Sequence, residues 1–163
     1  MNQPRPDPKT APRDPGPYAA LDPGRCKCGL VRSDPAGTEI LAAGVLDPER
    51  CWQLLEQWQR QGLIGGLLLG DGTGSGPWQP RLAALGLPVL LVEEAGTTLA
   101  ARERYWQLEP ARGWRRLLPH GLRLPPRDVD DVVAQLLLER HLGQPLGRRH
   151  CTWLEPLRTS PAR

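Results

Sequence analysis

The stretch YAALDPGRCKCGLVRS, Tyr18–Ser33, decides the fold that we predict for this chain. It contains two short apolar runs, Tyr18–Asp22 and Cys28–Ser33, joined by a few residues that include proline and glycine. Such a short connection suits only antiparallel strands, and Pro and Gly are typical of tight turns. The stretch therefore predicts a β-hairpin whose first strand ends in a carboxylate. The chain has four other Asp-Pro steps, but only Asp22 both directly follows an apolar run and precedes Gly24 and a second short apolar run.

The remaining apolar patterns extend this hairpin into a larger sheet. A third strand is predicted over Glu39–Leu46, and two continuous apolar runs, Ile64–Leu69 and Pro88–Val92, predict strands buried on both faces. Helices are predicted over residues 47–61, 77–85, 97–106 and 129–142. Three meandering strands followed by two helix-separated parallel strands predict an α/β fold in three layers. We expect a five-stranded mixed sheet with helices on both faces.

Length and composition indicate one folded domain. The chain has 163 residues, of which 39% are hydrophobic and 24% charged, as in ordinary globular proteins. We predict a disordered proline-rich tail over residues 1–17, a folded domain over 18–143 and a C-terminal extension over 144–163. With no leader and no membrane-spanning run, we expect a cytoplasmic protein with no membrane partner and with reduced cysteines. Only one residue separates Cys26 from Cys28, which argues against a zinc site.

Three acidic positions stand out by their place in this fold. Asp22 ends the first strand, Glu94 follows the fifth, and Asp130 lies in the first turn of the last helix. In an open α/β sheet, binding and active sites form at the carboxyl ends of the strands. Each acid also has a plain structural interpretation, either as a solvated strand end or as a charge at a helix N-terminus. Helical periodicity places Asp130 at the edge of the buried stripe and its neighbour Asp131 on the polar side.

A basic segment precedes the last helix. Residues 102–127 contain seven arginines and two glutamates, a net charge of +5 in a chain whose total is +3. Arginine pairs with phosphate and exposed aromatic rings stack on bases. We therefore predict nucleic acid as the partner, although a solvated arginine run with Trp106 and Trp114 buried is the alternative. The predicted binding residues are Arg25, Lys27, Arg102, Arg112, Arg115, Arg116, Arg123 and Arg127.

The three acidic motifs also carry a family resemblance. LDPGRCKCGLV, VEEAGTTLAARERYW and LLPHGLRLPPRDVDDVVAQLLLERHLG resemble, in this order, the YqgF/RuvX family of RNase H-like nucleases. That family is described as Holliday junction resolvase-like or as processing ribosomal RNA precursors. The three motifs most resemble those of its cyanobacterial branch. The sequence departs from the family at Ala95, where an arginine is usual, and at Gly70-Asp71-Gly72, where the family has Gly-Leu-Pro.

The resemblance implies an RNase H-like fold and a metal-dependent nuclease. Carried over position by position, it makes Asp22, Glu94 and Asp130 the catalytic residues and the ligands of two Mg²⁺ or Mn²⁺ ions. The substrate would be structured RNA or branched DNA, cut by a monomer or a homodimer. The departures leave an alternative open, a weak or inactive nucleic-acid-binding protein of the same fold linked to ribosome assembly. The glycine-rich GDGTGSG, Gly70–Gly76, lacks the ending of a P-loop and is interpreted as a flexible loop contacting phosphate.

Overall fold

The computed structural model describes residues 16–156, so most of the predicted proline-rich tail lies outside the described residues. The same holds for the last seven residues of the predicted C-terminal extension. No helix in the described part of the chain is both long enough and apolar enough to span a membrane.

A single mixed sheet forms the centre of the fold. Its strands are β1 (Tyr18–Asp22), β2 (Cys28–Ser33), β3 (Ile40–Leu46), β4 (Gly66–Gly70), β5 (Val89–Val92) and β6 (Thr152–Trp153). They lie side by side in the order β5-β4-β1-β2-β3-β6. β1, β2 and β3 form an antiparallel meander, whereas β4 is parallel to β1 and β5 is parallel to β4. The predicted α/β fold class is confirmed.

The predicted number of strands was wrong, because the sheet has a sixth strand. β6 pairs in parallel with β3, Ala42 opposite Thr152 and Ala43 opposite Trp153. The missing side chain of Gly44 leaves room for Leu154, which a Cβ at that position would touch at 2.8 Å. Two paired residues carry too little periodicity to be recognised as a strand. The segment after residue 143 thus contributes to the sheet.

Helices cover both faces of the sheet. They are α1 (Pro48–Arg60), α2 (Trp78–Ala83), α3 (Thr97–Leu108) and α4 (Asp130–Leu142). One core contains Leu55 of α1 and Leu82 of α2, and a second core, on the opposite face, contains Leu137 of α4. A third cluster joins α3 to α4. This places α3 outside α4.

The strand β5 is less buried than its apolar sequence predicted. Leu90 is 42% exposed and Leu91 is 55% exposed, although we expected burial on both faces. The reason is that β5 is the edge strand of the sheet, so its outer side lacks a neighbouring strand. A continuous apolar run does not distinguish an edge strand from a central one.

Candidate active site

Two of the three predicted acids follow strands, and the third begins the last helix. Asp22 is the last residue of β1, and Glu94 follows the end of β5 by two residues. Asp130 is the first residue of α4. Its carbonyl faces Gly29 of β2, and Gly29 pairs with Asp22 across the hairpin. A Cβ at Gly29 would overlap that carbonyl. The glycine therefore allows the start of α4 to approach the end of β1.

Glu94 reaches Asp22 by crossing the end of the strand between them. β4 lies between β1 and β5, and it ends at Gly70. A Cβ at Gly70 would overlap Oε1 of Glu94, and a Cβ at Gly72 would overlap Oε2. The glycine-rich loop thus provides the space that the Glu94 carboxylate occupies. This role comes from the three-dimensional arrangement and was not part of our prediction for the loop.

The three acids interact electrostatically at this edge of the sheet. Burial, the charge of Glu94, a hydrogen bond with Glu94 and the charge of Asp130 raise the pKa of Asp22 from 3.8 to about 8. Burial and the charge of Asp128 raise the pKa of Asp130. Such shifts arise where carboxylates repel one another in a partly dehydrated site, and they are typical of functional sites.

The main chain of Glu94 is held on both sides by side chains. Its N–H donates to Oδ1 of Asp71 at 2.9 Å, and its carbonyl accepts from the N–H and the hydroxyl of Thr97 at 2.9 and 2.6 Å. Asp71 belongs to the triplet that departs from the family pattern. In this structure it positions Glu94.

Arg140 holds the residues on either side of Glu94. From α4 it donates to the carbonyl of Glu93 at 2.8 Å and to that of Ala95 at 3.2 Å. Ala95 is the position at which the family resemblance led us to expect an arginine. Sequence reasoning missed Arg140 and Thr97, because neither is an acid and their contacts are long-range or to the main chain.

Asp131 lies in the interior, so its predicted place on the polar side of α4 was wrong. Its side chain is fully buried. It accepts from Arg127 at 2.7 Å and from Arg148 at 2.8 Å, so two guanidinium groups face this one carboxylate. Arg148 comes from the segment after α4, whose position the helical pattern does not reveal. A buried carboxylate is stable only with such partners.

The predicted basic residues fall into two groups. Three of them are engaged within the fold: Lys27 pairs with Asp128, Arg123 donates to main-chain carbonyls, and Arg127 pairs with Asp131 and Glu109. The other five form no ion pair with any described residue; they are Arg25, Arg102, Arg112, Arg115 and Arg116.

The two tryptophans of the basic segment also differ. Trp106 is buried and donates its Nε1–H to the carbonyl of Arg123 at 3.0 Å, whereas Trp114 is 63% exposed. The guanidinium of Arg115 lies over the Trp114 ring at 5.2 Å. Burial, the alternative that we weighed for both rings, thus applies to Trp106 and is wrong for Trp114.

The carboxylates are suited to a divalent cation, although they do not provide a complete set of ligands. Among residues 16–156, no group of three or more His, Cys, Asp or Glu side chains is placed to hold a metal ion. Asp22 and Glu94 nevertheless face each other, and the buried Oε1 of Glu94 has no hydrogen-bond donor. Two close carboxylates with an unsatisfied oxygen are suited to a hard cation such as Mg²⁺.

The comparison with solved structures supports the fold. No protein-family model matches this chain, and no curated protein matches it in sequence. Among solved structures, it is similar to Thermus thermophilus RuvC in complex with a Holliday junction substrate. The TM-score is 0.50 with 16% sequence identity, over 78% of this chain and 94% of the RuvC chain. This chain therefore has the RNase H-like fold.

Proposed function

We propose that this chain is a metal-dependent nuclease that hydrolyses phosphodiester bonds in structured nucleic acid. The observation that carries the proposal is the meeting of Asp22 and Glu94 across the end of β4, with Asp130 close by and the Oε1 of Glu94 without a donor. Carboxylates brought together in this way repel one another when both are ionised, and a divalent cation between them would remove that repulsion.

Asp22, Glu94 and Asp130 would hold Mg²⁺ or Mn²⁺. Two such ions, when bound, would supply an activated water molecule and charge stabilisation for the leaving oxygen of an in-line displacement. Asp22 interacts with both other acids and is the natural central ligand. Asp71, Thr97 and Arg140 would keep Glu94 in place when the charge of the site changes.

The substrate class follows from the resemblance and from the surface charge. Resemblance to the YqgF/RuvX family favours a ribosomal RNA precursor or Holliday-junction-like DNA. The fold neighbour RuvC was solved with a Holliday junction substrate, which supports branched DNA as one candidate. Arg112, Arg116 and the exposed Trp114 would contact phosphates and stack on a base.

Cleavage of two substrates tests the proposal. A ribosomal RNA precursor fragment and a four-way DNA junction are incubated with Mg²⁺ or Mn²⁺, and Asp22→Asn is run beside the wild type. Metal-dependent cleavage that the substitution abolishes supports the nuclease, and the substrate that is cut defines its class. Cleavage that persists in Asp22→Asn at the wild-type rate contradicts the assignment of the site.

A second candidate is a nucleic-acid-binding protein of the same fold without catalysis. It is favoured by two observations. The residues that the structure describes include no complete set of metal-binding side chains, and position 95 is an alanine. Salt-sensitive binding that persists in EDTA, with no cleavage of either substrate, would favour this candidate.

A further inference from the structure

An open cavity begins directly after Asp22. Its volume is about 520 Å³, within the range of small-ligand pockets. The β1–β2 turn forms one wall with Pro23 and Arg25, and the glycine-rich loop forms another with Thr73. The starts of α1 and α2 complete it with Pro48 and Trp78. The cavity is therefore open to solvent and begins at the residue after Asp22, although none of the three acids lines it.

Two arginines, Arg25 and Arg81, line this cavity. Arg25 is exposed and forms no ion pair or side-chain hydrogen bond with any residue in the described range. Arg81 is held in place, because its guanidinium lies 4.5 Å from the centre of the Trp52 ring and 5.5 Å from that of Trp78. Glu49 approaches Arg81 at 3.5 Å but is on the exposed surface. One free and one preorganised guanidinium are suited to a phosphate group.

The rest of the lining is suited to a flat ring. Pro48 and Pro77 present apolar surface, and Trp78, which is only 4% exposed, also lines the cavity. The hydroxyl of Thr73 and the main chain of the glycine-rich loop are available for hydrogen bonds. A phosphate site, an apolar wall and a few polar groups together match a nucleotide.

We propose that the cavity receives one unpaired nucleotide of the substrate strand, next to the phosphate that is cut. Its phosphate would lie at Arg25 and Arg81, and its base would lie against Pro48 and Trp78. This inference rests on the proposed nuclease function and adds a substrate class to it. A paired base cannot leave its partner to enter the cavity without the cost of unstacking, so the enzyme selects strands with an unpaired nucleotide beside the cut.

Binding without metal tests the proposal independently of catalysis. Two DNA duplexes of equal length are compared in EDTA by fluorescence anisotropy, one fully paired and one with a single unpaired nucleotide. We expect the wild type to prefer the second duplex. Arg25→Ala should weaken binding of that duplex about tenfold, and binding of the paired duplex should change less than about twofold. Thr73→Trp, which fills the cavity and keeps its charge, should also remove the preference.

Arg60→Ala is the matched control, since Arg60 is an exposed arginine at the far end of α1 that does not line the cavity. It should leave the preference unchanged. Equal losses for both duplexes in Arg25→Ala, or a preference that survives Thr73→Trp, would overturn the proposal while leaving the nuclease function intact. A preference that depends on Arg25 and on the open cavity, in a wild type that cuts nothing, would support the nucleotide site and contradict the nuclease.

Discussion

Replacing Asp22 by asparagine should stabilise the metal-free protein at neutral pH. In the folded chain, burial and the neighbouring acids raise the pKa of Asp22 from 3.8 to about 8. An asparagine at this position carries no charge and has an amide group that can donate to the Glu94 carboxylate, whose Oε1 has no donor. The substitution thus removes the repulsion within the site.

The sign and size of this change in stability follow from the pKa values of Asp22 in the unfolded and the folded chain. A carboxyl whose folded pKa is raised destabilises the fold progressively as the pH rises from 3.8 towards 8. At pH 7 this loss has an upper limit of about 4 kcal/mol. Because Asp22 is partly exposed and solvent screens its charge, we expect asparagine to recover about 1–2 kcal/mol. This corresponds to a rise in Tm of about 3–6 °C.

Thermal unfolding in EDTA at pH 4 and pH 7 measures this effect. The difference between Asp22→Asn and the wild type should be present at pH 7 and close to zero at pH 4. Added Mg²⁺ should raise the Tm of the wild type and leave that of Asp22→Asn unchanged. A variant that is less stable than the wild type at pH 7, or a difference that does not depend on pH, would refute the argument.

Asp34→Asn is a control for which we expect the opposite change in stability at pH 7. Slight burial acts against the charge of Asp34, but hydrogen bonds from the N–H groups of Glu39 and Thr38 and from the Thr38 hydroxyl lower its pKa. Ionised Asp34 therefore stabilises the fold above its unfolded pKa, and that contribution is lost as the pH falls through its folded pKa. Asp34→Asn should lower the Tm at pH 7.

Three further predictions concern the interior, the loop and the surface. Asp131→Asn should lower the free energy of unfolding by about 3 kcal/mol in urea denaturation, since it removes the charge of a fully buried carboxylate that pairs with Arg127 and Arg148; a loss below about 1 kcal/mol would contradict this role. Gly70→Ala should displace Glu94 and abolish the Mg²⁺-induced rise in Tm, whereas Gly76→Ala, where a Cβ meets no atom within 4 Å, should preserve it; equal behaviour of the two variants would exclude steric displacement. Arg116→Ala should reduce the salt dependence of nucleic-acid binding by about one unit of slope, and an unchanged slope would place the contact surface elsewhere.

Local signals in the sequence were sufficient for the centre of the sheet. The turn at Pro23 and Gly24 and the alternation of short apolar runs predicted β1 to β4 with bounds close to those observed. These features work because a hairpin is determined by residues near one another in the chain. β6 and the exposure of β5 depend on which strands become neighbours, and this information is not local.

The same limit applies to the site. Position in the fold and the family resemblance both selected Asp22, Glu94 and Asp130, and their roles stay predictions. The positioning contacts of Arg140 and Asp71 join residues between 23 and 47 positions apart. Asp131 was misplaced because α4 is covered on two sides, by the sheet and by α3 with the C-terminal segment. A helical wheel assumes one solvent face, and α4 lacks such a face over its first turns.

The pairing of Asp131 with Arg148 also joins the start of α4 to a segment that is synthesised after it. During synthesis, Asp22 and Glu94 leave the ribosome before α4. Arg148 and β6 follow α4 in the chain, so until that segment is made Asp131 can pair only with Arg127 among the residues that the structure describes. The start of α4, which lies against β2, thus acquires its final contacts only after Arg148 has been made.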